Sequence, residues 1–165
     1  MTKDELLSEA VKLRTEGEAG QARDILLPLA AEYPDDATVA YQTAWTHDAL
    51  GREAEAVGFY EAALSLPGLS EDDRRGAFTG LGSSFRVLGR YADSVATLTL
   101  GTEEFPDDGA LATFLAMALY NSGDRDQAMG ILLRLLARTS GDEQVQRYRR
   151  AIEHYSRDLH AIDVP

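Results

Sequence analysis

The sequence predicts an all-α fold, an α-α superhelix (solenoid) of four helix pairs closed by a further C-terminal helix. Three observations carry that expectation. Glycines recur as Gly17, Gly51, Gly89 and Gly123, at spacings of 34, 38 and 34 residues. Seven residues before each glycine stands a small residue (Ala10, Ala44, Gly82, Ala116), and five residues after each stands another (Ala22, Ala56, Ser94, Ala128). Whole phrases also return: Tyr33-Pro34-Asp35-Asp36 as Phe105-Pro106-Asp107-Asp108, and Leu50-Gly51-Arg52 as Leu88-Gly89-Arg90. A fixed period of this length is the mark of stacked supersecondary units, each burying its apolar face on its neighbour.

Each unit reads as two helices. Before the glycine, apolar residues return every three or four positions, as in Leu6, Ala10 and Leu13, or Phe78, Leu81 and Phe85. After it the same period resumes, as in Ala56, Tyr60, Ala63 and Leu64, or Ala128, Leu132 and Leu135. The glycine ends the first helix in a left-handed conformation that costs other residues more. Pro34 and Pro106 lie past the second helix, and the aspartates after them cap the next helix and complement its positive end. Small residues mark the close approach of two helices, so larger ones at Ala44 or Gly82 overpack. The spacing of 38 inserts four residues around Ser70-Glu71-Asp72-Asp73. Ser-x-x-Asp resembles a capping box, and the insertion adds about one turn, ~6 Å, to the first helix of the third unit. Pro28 falls inside a second helix and predicts a bend there.

Paired helices on this period, with a small residue, a turn glycine, an alanine and a closing proline, resemble the tetratricopeptide repeat (TPR) family, in the form of a small stand-alone protein of bacterial type. The resemblance makes residues 1–165 a single domain, with units at 3–36, 37–70, 75–108 and 109–142 and an extra helix at 143–160. It is imperfect: the early aromatic column holds Leu6, Ala40, Phe78 and Ala112, and the late alanine survives only as Ala63. The pentatricopeptide repeat, an RNA reader, fits less well with the spacing of 34 and the acidic composition.

Composition narrows the function. The 28 acidic residues outnumber 16 basic ones, for a net charge of -12. This disfavours nucleic acid and anionic membrane as partners, because both need clustered cations. Without cysteine there is no disulfide, thiolate metal site or Cys nucleophile. No basic-then-apolar leader opens the chain, and the longest mostly apolar run, Ala110 to Tyr120, is too short to span a bilayer, so a cytoplasmic location is expected. His47 occupies a helix-packing column and reads as a core residue with one hydrogen bond. His154 and Asp158 share an i,i+4 face, too few ligands for a metal and suited to a surface ion pair. Gly76, Gly80 and Gly82 lie inside a helix rather than in a phosphate loop; close packing accounts for Gly82, and an open groove floor for the other two. No serine has a nucleophile-elbow context. The expectation is neither catalysis nor a cofactor or metal.

The resemblance implies a concave groove, lined by first helices, that binds a peptide or partner protein. Carried over column by column, its residues are Leu7, Val11 and Arg14, then Tyr41, Gln42, Trp45 and Asp48. Thr79, Ser83 and Arg86 follow from the third unit, and Thr113, Phe114, Met117, Tyr120 and Asn121 from the fourth. Arg147, Tyr148 and His154 would come from the final helix. Trp45 reads either as a binding anchor or as a seal packed beneath Leu7 and Val11. Arg86 and Arg147 read as receivers of a carboxylate, or as partners of local acids. The clamp with which some TPR proteins hold chaperone tails is absent, since Leu7, Val11, Gln42, Gly76 and Gly80 stand at its positions. A competing expectation is a homodimer whose apolar stripe is filled by a second copy or by the tail from Leu159 to Pro165, favoured by the lack of a capping helix before Leu6 and Leu7.

Overall fold

A computed structural model describes residues 1–162 of the chain. Four helix pairs run in order: α1 (Lys3–Thr15) and α2 (Ala19–Glu32), α3 (Ala37–Ala49) and α4 (Glu53–Ser65), α5 (Glu71–Val87) and α6 (Tyr91–Glu104), α7 (Gly109–Ser122) and α8 (Arg125–Thr139). Two short helices follow, α9 (Glu143–Arg147) and α10 (Arg149–Tyr155). Each helix packs on the next, and successive first helices also touch: α1 with α3, α3 with α5, α5 with α7. No comparable contact joins α2, α4, α6 and α8 among the described residues, so the first helices form the inner wall of the superhelix.

The turn column behaves as its spacing predicts. Gly17, Gly51, Gly89 and Gly123 take φ of 90°, 68°, 75° and 102°, a region in which a side chain is strained. Capping follows the sequence as well. Asp36 accepts from the Thr38 and Val39 amides, both at 3.0 Å, and Asp108 from the Leu111 amide at 3.0 Å. Ser70 accepts from the Asp73 amide at 3.1 Å, and α5 is accordingly 17 residues long where α3 has 13. Pro28 does not break α2, which runs on to Glu32.

Small residues let the two helices of a unit meet. Ala10, Ala44, Ala22 and Ala56 have no accessible surface. A Cβ on Gly82 would collide with the Leu98 side chain. Ser94, the odd residue of its column, is buried because its hydroxyl donates to the Gly82 carbonyl at 2.6 Å. Gly76 and Gly80 do face the concave groove, but the space above each is taken by a side chain rather than left open. A Cβ on Gly76 would strike the Tyr41 hydroxyl, and one on Gly80 the Tyr60 ring, so both glycines make room for tyrosines of the preceding unit.

The expected single helix over 143–160 is two helices broken at Tyr148, whose ψ of 11° leaves the helical range. Asp142 caps α9, while the Gln146 amide donates back to the Ala137 and Ser140 carbonyls at 3.0 and 2.8 Å. Beyond the break, α10 lies along α8, where Gly130 leaves room for the Ser156 carbonyl and Arg134 donates to it at 3.2 Å. The helix ends at Tyr155, so His154 and Asp158 share no helical face and form no ion pair. Asp158 instead accepts the His160 amide at 2.9 Å.

Gly82→Leu should lower stability by about 1–3 kcal/mol through overpacking against Leu98. Urea denaturation should show a lower midpoint with an unchanged slope, and Leu98→Ala should recover part of the loss in the double variant.

Candidate functional site: the concave groove

The groove holds two cavities. The first, of about 390 Å³, is walled by α3, α5 and α7. Trp45 and Phe114 form its sides and Tyr41 and Tyr60 its floor, with Asp48 and the Arg75–Asp108 pair (3.3 Å) at the edge. The second, of about 530 Å³, lies between α7 and α8 at the C-terminal end. Met117, Tyr120, Met129 and Leu132 line it, with Arg86, Asn121, Arg125 and Asp126 around them.

Trp45 projects into the first cavity and keeps 45% of its surface exposed. One face of its indole is covered by the Arg14 guanidinium, 4.0 Å from the ring centroid, and Tyr41 stands 5.7 Å away at a tilt. Arg14 is itself held: it donates to the Gln42 side chain at 2.8 Å and reaches the Thr46 hydroxyl at 3.4 Å. Burial lowers its pKa, which marks a cation with little solvent around it. The indole is thus fixed from one side and open from the other.

Several other expected groove residues are spent on holding repeats together. Tyr41 is only 5% exposed, and burial pushes its phenol up to about 12. Gln42 is buried and engaged by Arg14. Leu7 is half-buried against the core around Ala10 and Leu26, and Val11 is half-buried on the same helix. Thr79 and Phe114 stay on the wall of the first cavity, although the Thr79 hydroxyl donates to the Arg75 carbonyl at 3.0 Å. Arg86, Met117, Tyr120 and Asn121 come together around the second cavity. Arg86 finds no carboxylate within 4.0 Å among the described residues; its contact is the Asn121 side-chain oxygen at 3.5 Å, and its Nε is buried without a partner. Arg147 and Tyr148 line neither cavity, because α9 and α10 pack on α8 rather than beside α7.

Sequence reasoning missed Tyr60, Arg75 and Asp108. Tyr60 belongs to a second helix and enters the groove only because Gly80 lacks a side chain. The available signal was a tyrosine in a column that otherwise holds Leu26, Leu98 and Leu132. His47 is the core residue its column predicts. It is buried against Phe59, with Nδ1 2.9 Å from the Thr43 carbonyl and Nε2 3.5 Å from Glu55. Among the described residues no cluster of His, Asp and Glu has the arrangement of a metal site, and no helix is long and apolar enough to cross a membrane.

A family model described as Tetratrico peptide repeat matches residues 37–159. The chain belongs to the tetratricopeptide repeat family. The match starts at the second unit, yet the first TPR unit is built and stacked like the others: α2 packs on α3, and Arg14 bonds Gln42 across the junction. TPR units are generally protein–protein interaction modules, and the family is generally a non-catalytic scaffold.

Asp48 sits in this TPR groove with its carboxylate bonded to the Tyr60 and Ser84 hydroxyls at 3.2 and 3.3 Å. Burial raises its pKa more than those two hydroxyls lower it. A raised folded-state pKa contributes stability that is full below the unfolded value and is lost as pH rises through the folded one. Asp48→Asn should therefore raise the urea midpoint at about pH 7, with the gap closing toward about pH 3.

Proposed function

We propose that the chain binds a peptide or protein partner in its concave groove, anchored on the open face of Trp45. The observation that carries this reading is a half-exposed tryptophan fixed by Arg14 above a cavity floored by two tyrosines. Burying an immobilised indole gains apolar contact at little further cost in entropy, which is the character of an interface hot spot. Arg14 and Arg75 are already engaged within the groove, so recognition near Trp45 rests on shape and apolar contact. Arg86 remains the groove cation placed to orient a carboxylate. The reading requires no catalysis and no cofactor.

A homodimer is the second reading, and the C-terminal end face favours it. Glu5, Glu9 and Lys12 stand on α1 in columns that are buried in the other units as Val39, Ala77 and Leu111, Thr43, Leu81 and Leu115, and Thr46, Ser84 and Ala118. The outer face of α1 thus carries polar side chains in these columns. The other end differs: Met129, Leu132 and Leu136 on α8 are 48%, 38% and 45% exposed. Leu159 lies against part of that face, at the edge of the second cavity; the tail beyond residue 162 lies outside the described residues.

A partner captured by the wild-type chain and then purified should lose about 2 kcal/mol or more of affinity for Trp45→Ala, roughly thirtyfold in Kd. Calorimetry measures the loss, and a variant that unfolds would assign Trp45 to sealing the junction instead. Light scattering over a dilution series tests the second reading. A species of twice 18.0 kDa that Leu132→Asp splits would support the dimer, and a monomer throughout would reject it.

A further inference from the structure

Positive charge is placed unevenly along the chain. Residues 125–158 hold seven arginines against five carboxylates, a surplus of two on a chain whose net charge is -12. Four of those arginines line one cavity of about 380 Å³: Arg134 and Arg138 from α8, Arg149 from α10, and Arg157 just beyond it. The floor between them is apolar, formed by Ile131, Leu135, Pro106 and Ala112.

Several arginines elsewhere are closed on carboxylates, as Arg75 on Glu71 and Asp108, Arg90 on Asp93, and Arg74 on Glu104. Around this cavity such closure is mostly lacking. Glu153 is the sole carboxylate lining the cavity, and it is taken by Arg149 at 2.9 Å. Arg138 reaches only Asp107, an almost fully exposed side chain, at 3.5 Å. Arg134 bonds a neutral carbonyl, and Arg157 has no ion pair within 4.0 Å among the described residues. Four cations held around one pocket repel one another, and an anion that enters relieves that repulsion.

We infer that this pocket takes an acidic segment of a partner protein, one in which carboxylates alternate with apolar side chains. The cations select the charge. Arginine holds carboxylates in a planar, two-pronged geometry, and Arg134 and Arg138 stand one turn apart on α8 facing others across the cleft. The floor selects the rest of the ligand, since Ile131 and Leu135 gain nothing from a phosphate ion and much from an apolar side chain between two acids. The remaining acidic surface repels such a segment, which fixes where it docks. The site is built from α7 and the turn before it, α8 and the C-terminal segment; it shares no lining residue with either groove cavity, and it does not rest on the Trp45 reading.

The test uses the full chain and a rhodamine-labelled hexapeptide of alternating leucine and glutamate, capped at both ends and followed by fluorescence anisotropy. Saturable binding that weakens with salt is expected, with the leucine–glutamine peptide failing to bind. Arg138→Glu with Arg157→Glu should weaken binding about tenfold or more, while lysine at both positions keeps it within about threefold. Neither side chain holds the fold together, so circular dichroism should not change. Trp45→Ala should leave binding intact. Equal binding of the glutamine peptide, indifference to charge reversal or the absence of saturation would each overturn the assignment. Displacement by inorganic phosphate at constant ionic strength would give the pocket to phosphate instead, and loss of binding in Trp45→Ala would move the peptide to the groove.

Discussion

The molecule depends on one steric constraint, that the two helices of each unit approach closely enough for backbone to meet backbone. Two columns of small residues satisfy it, and every other regularity follows from them. A second helix laid tightly on the first requires a sharp reversal, and the turn glycine supplies it with positive φ. Once paired, each unit presents one row of side chains to the next unit and another to the concave face. Ser94 shows how narrow the tolerance is. A hydroxyl is accepted in the alanine column because its one polar bond ends on the Gly82 carbonyl, the backbone that the missing side chain uncovers.

The third unit uses the same constraint in reverse. Its first helix carries glycine where Tyr41 and Tyr60 of the preceding unit need space, so the two large rings become the floor of the groove instead of being pushed out of it. Interior packing is dense enough that volume removed from one helix is taken up by its neighbour. The first cavity and its open tryptophan are consequences of that exchange. Asp48 belongs to it too, a carboxylate kept at the groove wall by hydroxyls from α4 and α5.

This exchange also marks where the sequence stops being legible. Period, turns, caps, the lengthened α5 and the core role of His47 could all be read along the chain, because each is a local or strictly repeated event. Volume complementarity between residues some 20 to 35 positions apart could not. A glycine facing empty space and a glycine facing a tyrosine are the same letter, so Gly76 and Gly80 read as an open floor. Gln42 and Tyr41 fell in groove columns but are taken up by Arg14 and Gly76 across unit boundaries. The C-terminal segment failed for the same reason. Helical period alone extends it to 160, whereas its path is decided by Gly130 and Arg134 on α8, which hold the Ser156 carbonyl.

If both proposed sites are used, charge divides the surface into two kinds of recognition. In the groove near Trp45 the cations are satisfied from within: Arg14 by Gln42, Thr46 and the indole face, Arg75 by Glu71 and Asp108. A ligand there gains little by bringing charge, and its affinity is set by how well it covers the aromatic surface. On the outer side of α8 the arginines outnumber the acids that face them, so a ligand gains mainly by bringing charge. The two faces therefore differ in their dependence on salt. Screening over a Debye length of ~8 Å weakens the second and leaves the first nearly untouched. A single partner spanning both would need an apolar segment and an acidic one in tandem, and the two modes of contact would separate as ionic strength is raised.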